Sequence, residues 1–457
     1  ADVYPRISYA LQSQQAKTFN VKILETAREN TRSISLNFKD EETFVSDLKL
    51  KLKDGGCAAV ICNTVRRAQE IYDLLKADEF FAGDDEIDGM PKLDLLHSRF
   101  RLKDRCEREK RSMLRFGKAG TTVPFTDDKG EKVDHEVKRP YLAVLVSTQI
   151  IEQSLDIDFD VMVSDLAPAD LLLQRAGRLQ RHQRPDRKPA FCNAETGKPK
   201  AELWILRPPL DENGDIKVFD SGKKQGEPDL GPSGFVYDPH ILMRSWFVLR
   251  DRGVIDVPAE VEELIELVYG EGEFPSEGIS EHDLGLFVKT RPQYESRLTG
   301  QNMQAQSRYI NHPHFRGHLG KLLGTPKEEE APELHKDSQA MTRLVEPTVQ
   351  VVCLWKKNGK LYLDEKYETI VDPASEDAPG TELQKQIIFN SVGISNKAVV
   401  FNFFDEPVPA GWEKTPLLSR HRYLEFDASG KCERFGHIFE LSNDKGLIIS
   451  KKEDKNV

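Results

Sequence analysis

The stretch LLLQRAGRLQRH at residues 171–182 carries side chains that could bind an anion. On a helix, Gln174, Arg178 and Arg181 would share one face, because residues three and four apart are neighbours. A guanidinium group stays charged and offers a planar fork of donors that matches a phosphoryl group. Two such arginines could stabilise charge that develops on a γ-phosphate, which is the arginine-finger role. The alternative is a surface helix with a solvated basic face, although no acidic residue interrupts the stretch.

Asn63 and Thr64 stand at the end of an apolar run, in the stretch VICNTVRRAQE at 60–70. An amide and a hydroxyl at the carboxyl end of a strand, followed by the start of a helix, suit contacts to phosphate. The alternative is that Thr64 only caps the helix through its hydroxyl oxygen. These residues alone leave both interpretations open.

A second apolar run ends in hydroxyl groups, in the stretch LVSTQIIEQSLDIDFD at 145–160. Ser147 and Thr148 could hold a backbone phosphate through their hydroxyl groups. Glu152 and Asp156 follow, predicted at helical spacing, and one of these carboxylates could accept a hydrogen bond from a sugar hydroxyl. The alternative is a capping box, for which the acids stand one or two residues too far along.

A basic segment at residues 92–118 contains ten lysines and arginines against four acidic residues. The whole chain carries a formal net charge of −11, so any nucleic-acid site must be local. Such a segment fits a channel for single-stranded nucleic acid. The alternative is a solvated helix with internal salt bridges. That alternative accounts for the later half, where Glu107 and Glu109 stand among bases, better than for HSRF at 97–100.

The elements that must position these groups alternate between buried strands and helices. A helix is predicted over 64–76 and another begins after Pro168. Continuous apolar runs predict strands buried on both faces. These runs lie at 57–63, 141–148, 161–167 and 202–207. This alternation predicts an α/β fold with a doubly wound parallel sheet, whose ligands bind at the carboxyl ends of the strands.

The predicted domains are 1–210 for this α/β lobe, 211–330 for a linker with helices, and 331–457 for a small β-rich C-terminal domain. Polar, turn-rich residues at 119–139 predict an insertion or hairpin. Proline- and glycine-rich residues at 208–234 predict the linker, and helices follow in PHILMRSWFVLRDRG and PAEVEELIELVYG. A soft, charged segment at 324–340 marks a second boundary.

The composition of the 457 residues, 38% hydrophobic and 31% charged, is that of a soluble protein. No apolar stretch approaches the ~20 residues of a membrane helix, and we expect a cytoplasmic protein without a membrane partner. Six scattered cysteines without a C-x-x-C pair predict no metal site. The dipeptide His282-Asp283 is predicted to be ordinary surface. Because the chain begins without methionine, we expect a processed chain or a piece of something larger.

Four motifs together resemble the second RecA-like lobe of superfamily 2 helicases. More narrowly, they resemble the helicase–nuclease of type I CRISPR systems, with a layout most like subtype I-E. The motifs are NT-x-RRAQ, LLHSRF, STQIIEQSLDIDFD and QRAGRLQRH, between residues 63 and 182. The segments VYDPHILMRSWFVL and TRLVEPTVQVV extend the resemblance along the chain.

The resemblance implies roles for individual residues. The ATP-binding residues would be Asp156, near the ribose, with Gln174, Arg178 and Arg181 against the phosphates and the two arginines as fingers. Gln174, Arg178 and Arg181 would thus be the catalytic residues. The DNA-binding residues implied are Asn63, Thr64, His97, Ser98, Arg99 and Thr148.

The sequence also departs from the family. It contains neither a G-x-x-x-x-G-K-[ST] phosphate loop nor a D-E-x-[HD] magnesium motif, and the histidine–aspartate nuclease domain is missing. The resemblance therefore implies a C-terminal half, inactive alone, whose ATP and Mg²⁺ are held mainly by an N-terminal half. It also implies 3′-to-5′ movement on single-stranded DNA and recruitment by the crRNA-guided Cascade surveillance complex, in defence against foreign DNA.

Two alternatives stay open. The chain could be half of an RNA helicase or of a restriction-type translocase, which competition between DNA and RNA would distinguish, because only RNA offers the 2′-hydroxyl. It could also be a non-enzymatic docking lobe. A docking surface has no need of both Arg178 and Arg181, which favours the motor.

Overall fold

The computed structural model describes residues 6–12, 17–23, 31–126, 131–153, 155–185, 187–307 and 347–452. Up to residue 257 its strands form a large sheet and two separate hairpins. In chain order these strands are β1 (Arg6–Gln12), β2 (Lys17–Ile23), β3 (Arg32–Lys39), β4 (Gly56–Ile61), β5 (Leu93–Leu96), β6 (Thr122–Thr126), β7 (Lys132–Glu136), β8 (Leu142–Ser147), β9 (Val161–Asp165), β10 (Ala201–Leu206) and β11 (Val254–Val257).

The large sheet has seven strands in the order β11-β3-β10-β9-β4-β8-β5. Its neighbours are parallel except β11, which pairs antiparallel with β3. The predicted parallel, doubly wound α/β lobe is confirmed. Successive residues of one strand enter opposite cores: Ala59 and Ile61 pack in one cluster, and Ala58 and Val60 in the other. Burial on both faces is why these strands are continuous apolar runs.

Helices cover both faces of the sheet. They are α1 (Phe44–Lys51), α2 (Val65–Lys76), α3 (Leu102–Phe116), α4 (Ile150–Gln153), α5 (Ala169–Ala176), α6 (Pro239–Leu249), α7 (Val261–Tyr269) and α8 (Glu281–Ser307). The helices predicted around 64–76, 239–253 and 258–270 are present as α2, α6 and α7. The polar insertion at 119–139 is the antiparallel hairpin of β6 and β7.

Part of the predicted linker packs directly on the lobe. Strand β11 extends the sheet edge, and Trp246 of α6 lies in the same hydrophobic cluster as the sheet. The rings of Trp246 and Phe38 meet edge to face, with centroids 5.2 Å apart. The hydrophobic core thus crosses residue 210, and the boundary at that residue stays a prediction. The soft segment at 324–340 lies outside the described residues.

The C-terminal region is β-rich, as predicted. Its elements are β12 (Val349–Lys357), β13 (Lys360–Tyr362), β14 (Ile370–Val371), α9 (Thr381–Phe389), β15 (Ser391–Ile394), α10 (Lys397–Phe404), α11 (Ala410–Glu413), β16 (His421–Phe426), β17 (Lys431–Arg434), β18 (His437–Ser442) and β19 (Gly446–Lys451). The central strand β12 pairs antiparallel with β13 and β15 and parallel with β16. Strands β17, β18 and β19 form a separate antiparallel sheet.

Candidate nucleotide and nucleic-acid site

The helix that carries the arginine-rich stretch is shorter than predicted. Helix α5 ends at Ala176, so Arg178 and Arg181 do not share a helix face with Gln174, and that part of the prediction was wrong. The chain turns because residues 178–180 pair with the segment before β9. The Gln180 N–H donates to the Phe159 carbonyl at 2.8 Å, and Gln180 adopts a φ of 44°. The turn also places Leu179 in the core.

The turn nevertheless brings three predicted ATP-binding residues together. Arg181 Nε lies 2.7 Å from Asp156 Oδ1, and these side chains are 44% and 55% exposed. Arg178 is mostly buried; its Nη2 donates to the Glu152 carbonyl at 2.7 Å. Burial, and secondarily the charge of Arg181, lowers the Arg178 pKa. We call Asp156, Arg178 and Arg181 the open rim. Gln174 is exposed on α5.

Arg175 is the functional neighbour that sequence reasoning missed. Its guanidinium is fully buried: Nε donates to Glu152 Oε1, Nη1 to the Ser164 hydroxyl and Nη2 to Asn63 Oδ1, each at 2.8 Å. It thereby ties the ends of β4 and β9 to the segment after β8. Its spacing in the sequence could have indicated this role. Arg175 lies on the same helix face as buried Leu172, and a charged group that is buried there needs a partner.

Other arginines of the same region neutralise two buried carboxylates, Asp158 and Asp160. Asp158 is fully buried; it accepts from the Arg181 backbone N–H at 2.6 Å and from Arg184 Nε at 2.5 Å. Arg139 Nη2 donates to Asp160 Oδ2 at 2.8 Å, and Arg187 pairs with the other oxygen. These arginines hold the fold together and are committed to internal partners.

Asn63 and Thr64 lie at the carboxyl end of β4, as the sequence predicted. Asn63 Nδ2 donates to the Leu166 carbonyl at 2.7 Å and to the Ser233 hydroxyl at 2.8 Å, and only 4% of the residue is exposed. Direct DNA contact by this amide would require breaking internal hydrogen bonds, so that role stays a prediction. The Thr64 hydroxyl accepts from the Arg67 N–H at 3.1 Å, which is the cap.

The segment after β8 adjoins Asn63. Thr148 is 5% exposed, and its N–H lies 3.3 Å from the Leu96 carbonyl. The next side chain, Gln149, donates to the Asn63 carbonyl at 2.9 Å. Helix α4 covers only four residues and ends before Asp156, so the predicted helical spacing of Glu152 and Asp156 was wrong. Glu152 is held by Arg175, whereas Asp156 is open.

The HSRF loop follows β5 at the same edge of the sheet. His97 is fully buried and stacks on Phe100, with ring centroids 4.5 Å apart. Burial, reinforced by Arg99 and Arg108, lowers the His97 pKa to about 3, so the ring is neutral. Burial also lowers the Arg99 pKa to about 10. Ser98 is exposed.

In the later half of the basic segment, arginines are paired with acidic residues of the lobe. The Asp94 carboxylate forms ion pairs with Arg108 Nη1 at 2.6 Å and with Arg111 Nη2 at 2.5 Å. Buried Arg115 pairs with Asp88 at 2.6 Å. Ser98 and Arg105 instead line a cleft of about 480 Å³ against the C-terminal region. Within α3, Arg105 Nε lies 3.3 Å from Glu109, four residues along. The other arginines pair with acids outside the helix, so the interpretation of a solvated helix with internal salt bridges is confirmed only in part.

The prediction that His282-Asp283 is ordinary surface was wrong for Asp283, whereas His282 is exposed. Asp283 is fully buried and its Oδ1 accepts from the Ile216 N–H at 2.9 Å, while the His282 ring contacts the Ile216 carbonyl at 3.1 Å. The pair anchors the start of α8 to the loop after β10. Within the described residues, no group of three or more histidines, cysteines or acids could hold a metal ion. Among the helices that the structure describes, none is long and apolar enough to cross a membrane.

Comparison with known proteins identifies two regions of the chain. Residues 54–184 match the family described as CRISPR-associated nuclease/helicase Cas3, C-terminal, and residues 343–447 match the Cas3 C-terminal domain family. A CRISPR-associated nuclease/helicase Cas3 of Streptococcus thermophilus is 28% identical over 100% of this chain and 44% of its own length. The Cas3 endonuclease/helicase of Thermus thermophilus is 28% identical over 97% of this chain and 47% of its own.

Solved structures agree with these relatives. A crystal structure of a CRISPR-associated protein superposes with a TM-score of 0.77 at 37% identity, covering 99% of this chain and 44% of its own. T. fusca Cas3 crystallised with AMPPNP has a TM-score of 0.67 at 25% identity, over 96% and 45%. The chain spans less than half the length of these proteins. It is similar in sequence and fold to the C-terminal part of Cas3 nuclease/helicases, which are helicase-type enzymes.

Proposed function

We propose that this chain forms the second RecA-like lobe, linker and C-terminal domain of an ATP-dependent single-stranded DNA translocase. It would move 3′ to 5′, unwind foreign DNA and help to degrade it in type I CRISPR interference, in a system of subtype I-E. The similarity to Cas3 over both matched regions supports the class. Nucleotide complexes of T. fusca Cas3 support ATP as the ligand.

The open rim is the observation that carries the catalytic assignment. Asp156 and Arg181 form an exposed pair beside Arg178. An exposed ion pair contributes only about 0–1 kcal/mol, so it can exchange for other partners at little cost. Asp156 can then accept from a ribose hydroxyl, while Arg181 and Arg178 turn toward the phosphates as fingers. Gln174, exposed on the last turn of α5, would approach the same nucleotide.

The nucleotide itself needs a second lobe. The sequence has no phosphate loop and no magnesium motif, so an N-terminal half would hold most of ATP and Mg²⁺. Closure of that half onto the open rim would complete the site. Nucleotide exchange and hydrolysis would then open and close the two lobes and step the strand. This chain alone is expected to be inactive.

DNA would lie across the carboxyl ends of β4, β8 and β5. Thr64, Ser98 and Arg99 are the proposed contacts to its backbone. We propose that the buried Thr148 and His97 order this edge of the sheet, and that buried Asn63 acts by holding Arg175 and the linker in place. A homologous fold occurs in a CRISPR RNA-guided surveillance complex, at 24% identity and a TM-score of 0.57. We propose the corresponding crRNA-guided Cascade complex as the partner that recruits this protein.

The test is ATP hydrolysis by this chain alone, by the matching N-terminal half alone, and by their mixture, each with and without single-stranded DNA. We expect activity only in the mixture, stimulated by DNA. Hydrolysis stimulated equally by RNA of the same sequence would instead favour an RNA helicase. A mixture that associates but stays silent would leave a docking lobe, and the motor proposal would fail.

A further inference from the structure

The segment VYDPHILMRSWFVL, residues 236–249, extends the resemblance along the chain but has no part in the open rim or in the proposed DNA contacts. Its helix α6 packs in the same hydrophobic cluster as the large sheet. Asp238 caps this helix by accepting from the His240 N–H at 2.8 Å. The Tyr237 N–H donates to the Ser233 carbonyl at 3.0 Å in the turn before the helix. The backbone on both sides of Tyr237 is thus fixed against the lobe.

The Tyr237 hydroxyl oxygen accepts hydrogen bonds from two different segments of the lobe. Gln149 Nε2, from the segment after β8, donates to it at 3.1 Å. Arg175 Nη2, from α5, donates to it at 3.4 Å. Burial raises the pKa of the Tyr237 phenol, so the group stays neutral at physiological pH. A phenol oxygen has lone pairs for both donors, and one side chain thereby joins the segment after β8 to α5.

Two buried serines of the same region reinforce this contact. The Ser233 hydroxyl accepts from Asn63 Nδ2 at 2.8 Å, at the end of β4. The Ser245 hydroxyl, on α6, accepts from the Ala169 N–H at 3.1 Å, at the start of α5. The residues around Tyr237 therefore bind the ends of β4 and β8 and both ends of α5. We call the side chains that meet here the linker junction: Asn63, Gln149, Arg175, Ser233 and Tyr237.

One side of the linker junction reaches the edge where DNA would lie. Thr64 is a proposed contact to the DNA backbone and directly follows Asn63. The Asn63 carbonyl accepts from Gln149 Nε2 at 2.9 Å, through the same amide group that binds Tyr237. A DNA strand that shifts the end of β4 would therefore also shift Gln149 and the phenol that holds it.

The other side of the linker junction reaches the open rim. Arg175 Nε donates to the Glu152 carboxylate at 2.8 Å, and the Glu152 carbonyl accepts from Arg178 Nη2 at 2.7 Å. All three residues are less than one-tenth exposed. In a buried network the position of each donor is set by its acceptor. A displacement of Arg175 would thus reach Arg178, which is a proposed finger.

We propose that Tyr237 is a positioning residue, which couples DNA binding at the end of β4 to the position of Arg178 at the open rim. The inference rests on the proposed function, since both ligands belong to it. Tyr237 acts through Gln149 and Arg175, and it sets how strongly DNA accelerates ATP hydrolysis. Such coupling is a free energy between two sites, and it must act in both directions on binding.

Tyr237→Phe tests this role because it removes one oxygen and leaves neither donor without an acceptor. Gln149 keeps the Asn63 carbonyl, and Arg175 Nη2 keeps Asn63 Oδ1. The variant should therefore unfold in urea near the wild-type midpoint. Tyr294→Phe is the matched control, because Tyr294 lies on α8, outside the linker junction.

The reassembled two-half enzyme provides the rate measurement. The ratio of kcat with saturating oligodeoxythymidine to kcat without it should fall about three- to tenfold in Tyr237→Phe. The KM for ATP and the rate without DNA should stay near those of wild type, and Tyr294→Phe should keep the full ratio. Gln149→Leu should lower the ratio as well. The double variant should be no worse than Gln149→Leu alone, because both changes break the same link.

A binding measurement reports the same coupling without turnover. In the wild-type mixture of the two halves, AMPPNP should change the Kd for fluorescent oligodeoxythymidine. In the Tyr237→Phe mixture this change should be smaller, whereas the Tyr294→Phe mixture should retain it in full.

Other results overturn the inference. If folded Tyr237→Phe keeps the wild-type ratio, Tyr237 only packs the linker, while the motor proposal stands. An equal loss with and without DNA, or losses from Tyr237→Phe and Gln149→Leu that add, would also remove the coupling role. So would a wild-type Kd that AMPPNP leaves unchanged. If the wild-type mixture shows no DNA-stimulated hydrolysis, the proposed function fails, and the inference falls with it.

Discussion

The arginines in and just after α5 differ in whether they are buried with internal partners or exposed to solvent. Arg175, Arg184 and Arg187 are buried against acids or amides and hold neighbouring strand ends together. Arg181 lies at the open rim, where its side chain pairs with the exposed Asp156. Arg178 is intermediate between the two groups, because it is mostly buried and one guanidinium nitrogen donates to the Glu152 carbonyl. A desolvated guanidinium with fixed partners stabilises the fold, whereas a solvated one is free to meet a ligand.

Arg181→Ala should have the largest effect on function. In the reassembled two-half enzyme we expect DNA-stimulated ATP hydrolysis to fall by about 10³-fold or more, because an arginine finger contributes about that factor. DNA binding and thermal unfolding should change little. Arg291→Ala, in an exposed pair with Glu295 on α8, is the matched control. Normal turnover in Arg181→Ala would remove the finger assignment.

Arg178→Ala should give the same kinetic loss with an added cost in stability. Its Nη2 bonds a buried carbonyl, and leaving that acceptor unpaired costs about 1–3 kcal/mol. Denaturant unfolding and single-turnover ATP hydrolysis together separate the two effects. A loss of stability without a loss of turnover would assign Arg178 to the buried group.

Arg175→Met should chiefly destabilise the lobe. Removing one partner of a buried ion pair costs about 3–5 kcal/mol, because Glu152 would remain buried without its cation. Urea unfolding of the chain alone measures this loss. The double variant Arg175→Met/Glu152→Gln should recover part of it. An Arg175→Met protein as stable as wild type would contradict the contrast between the two groups.

Asp156→Ala should have the smallest effect on stability. Its pair with Arg181 is exposed on both sides, so we expect a change within about 1 kcal/mol in urea unfolding. In the reassembled enzyme, by contrast, the apparent affinity for ATP should weaken more than that for a nucleotide lacking the ribose hydroxyls. Equal weakening for both nucleotides would mean that Asp156 does not contact the ribose.

The sequence by itself determined the α/β lobe, its strand ends and the β-rich C-terminal region. Continuous apolar runs can only be buried strands here, and Thr64 caps α2 by a local rule. Polar residues that follow β4 and β8 were expected at one sheet edge because parallel strands bring their carboxyl ends together. Asn63 and Thr148 do lie at that edge, and β5, a strand that no apolar run predicted, brings Ser98 to it as well.

Only the tertiary structure decided which of these groups are committed to internal partners. The prediction that Gln174, Arg178 and Arg181 share a helix face failed because residues 178–180 pair with Phe159, a contact that local spacing cannot encode. The role of Arg175 and the burial of Asp283 likewise depend on residues distant in the chain. Desolvation and partner choice are properties of the packed molecule, because they depend on what surrounds a side chain in space.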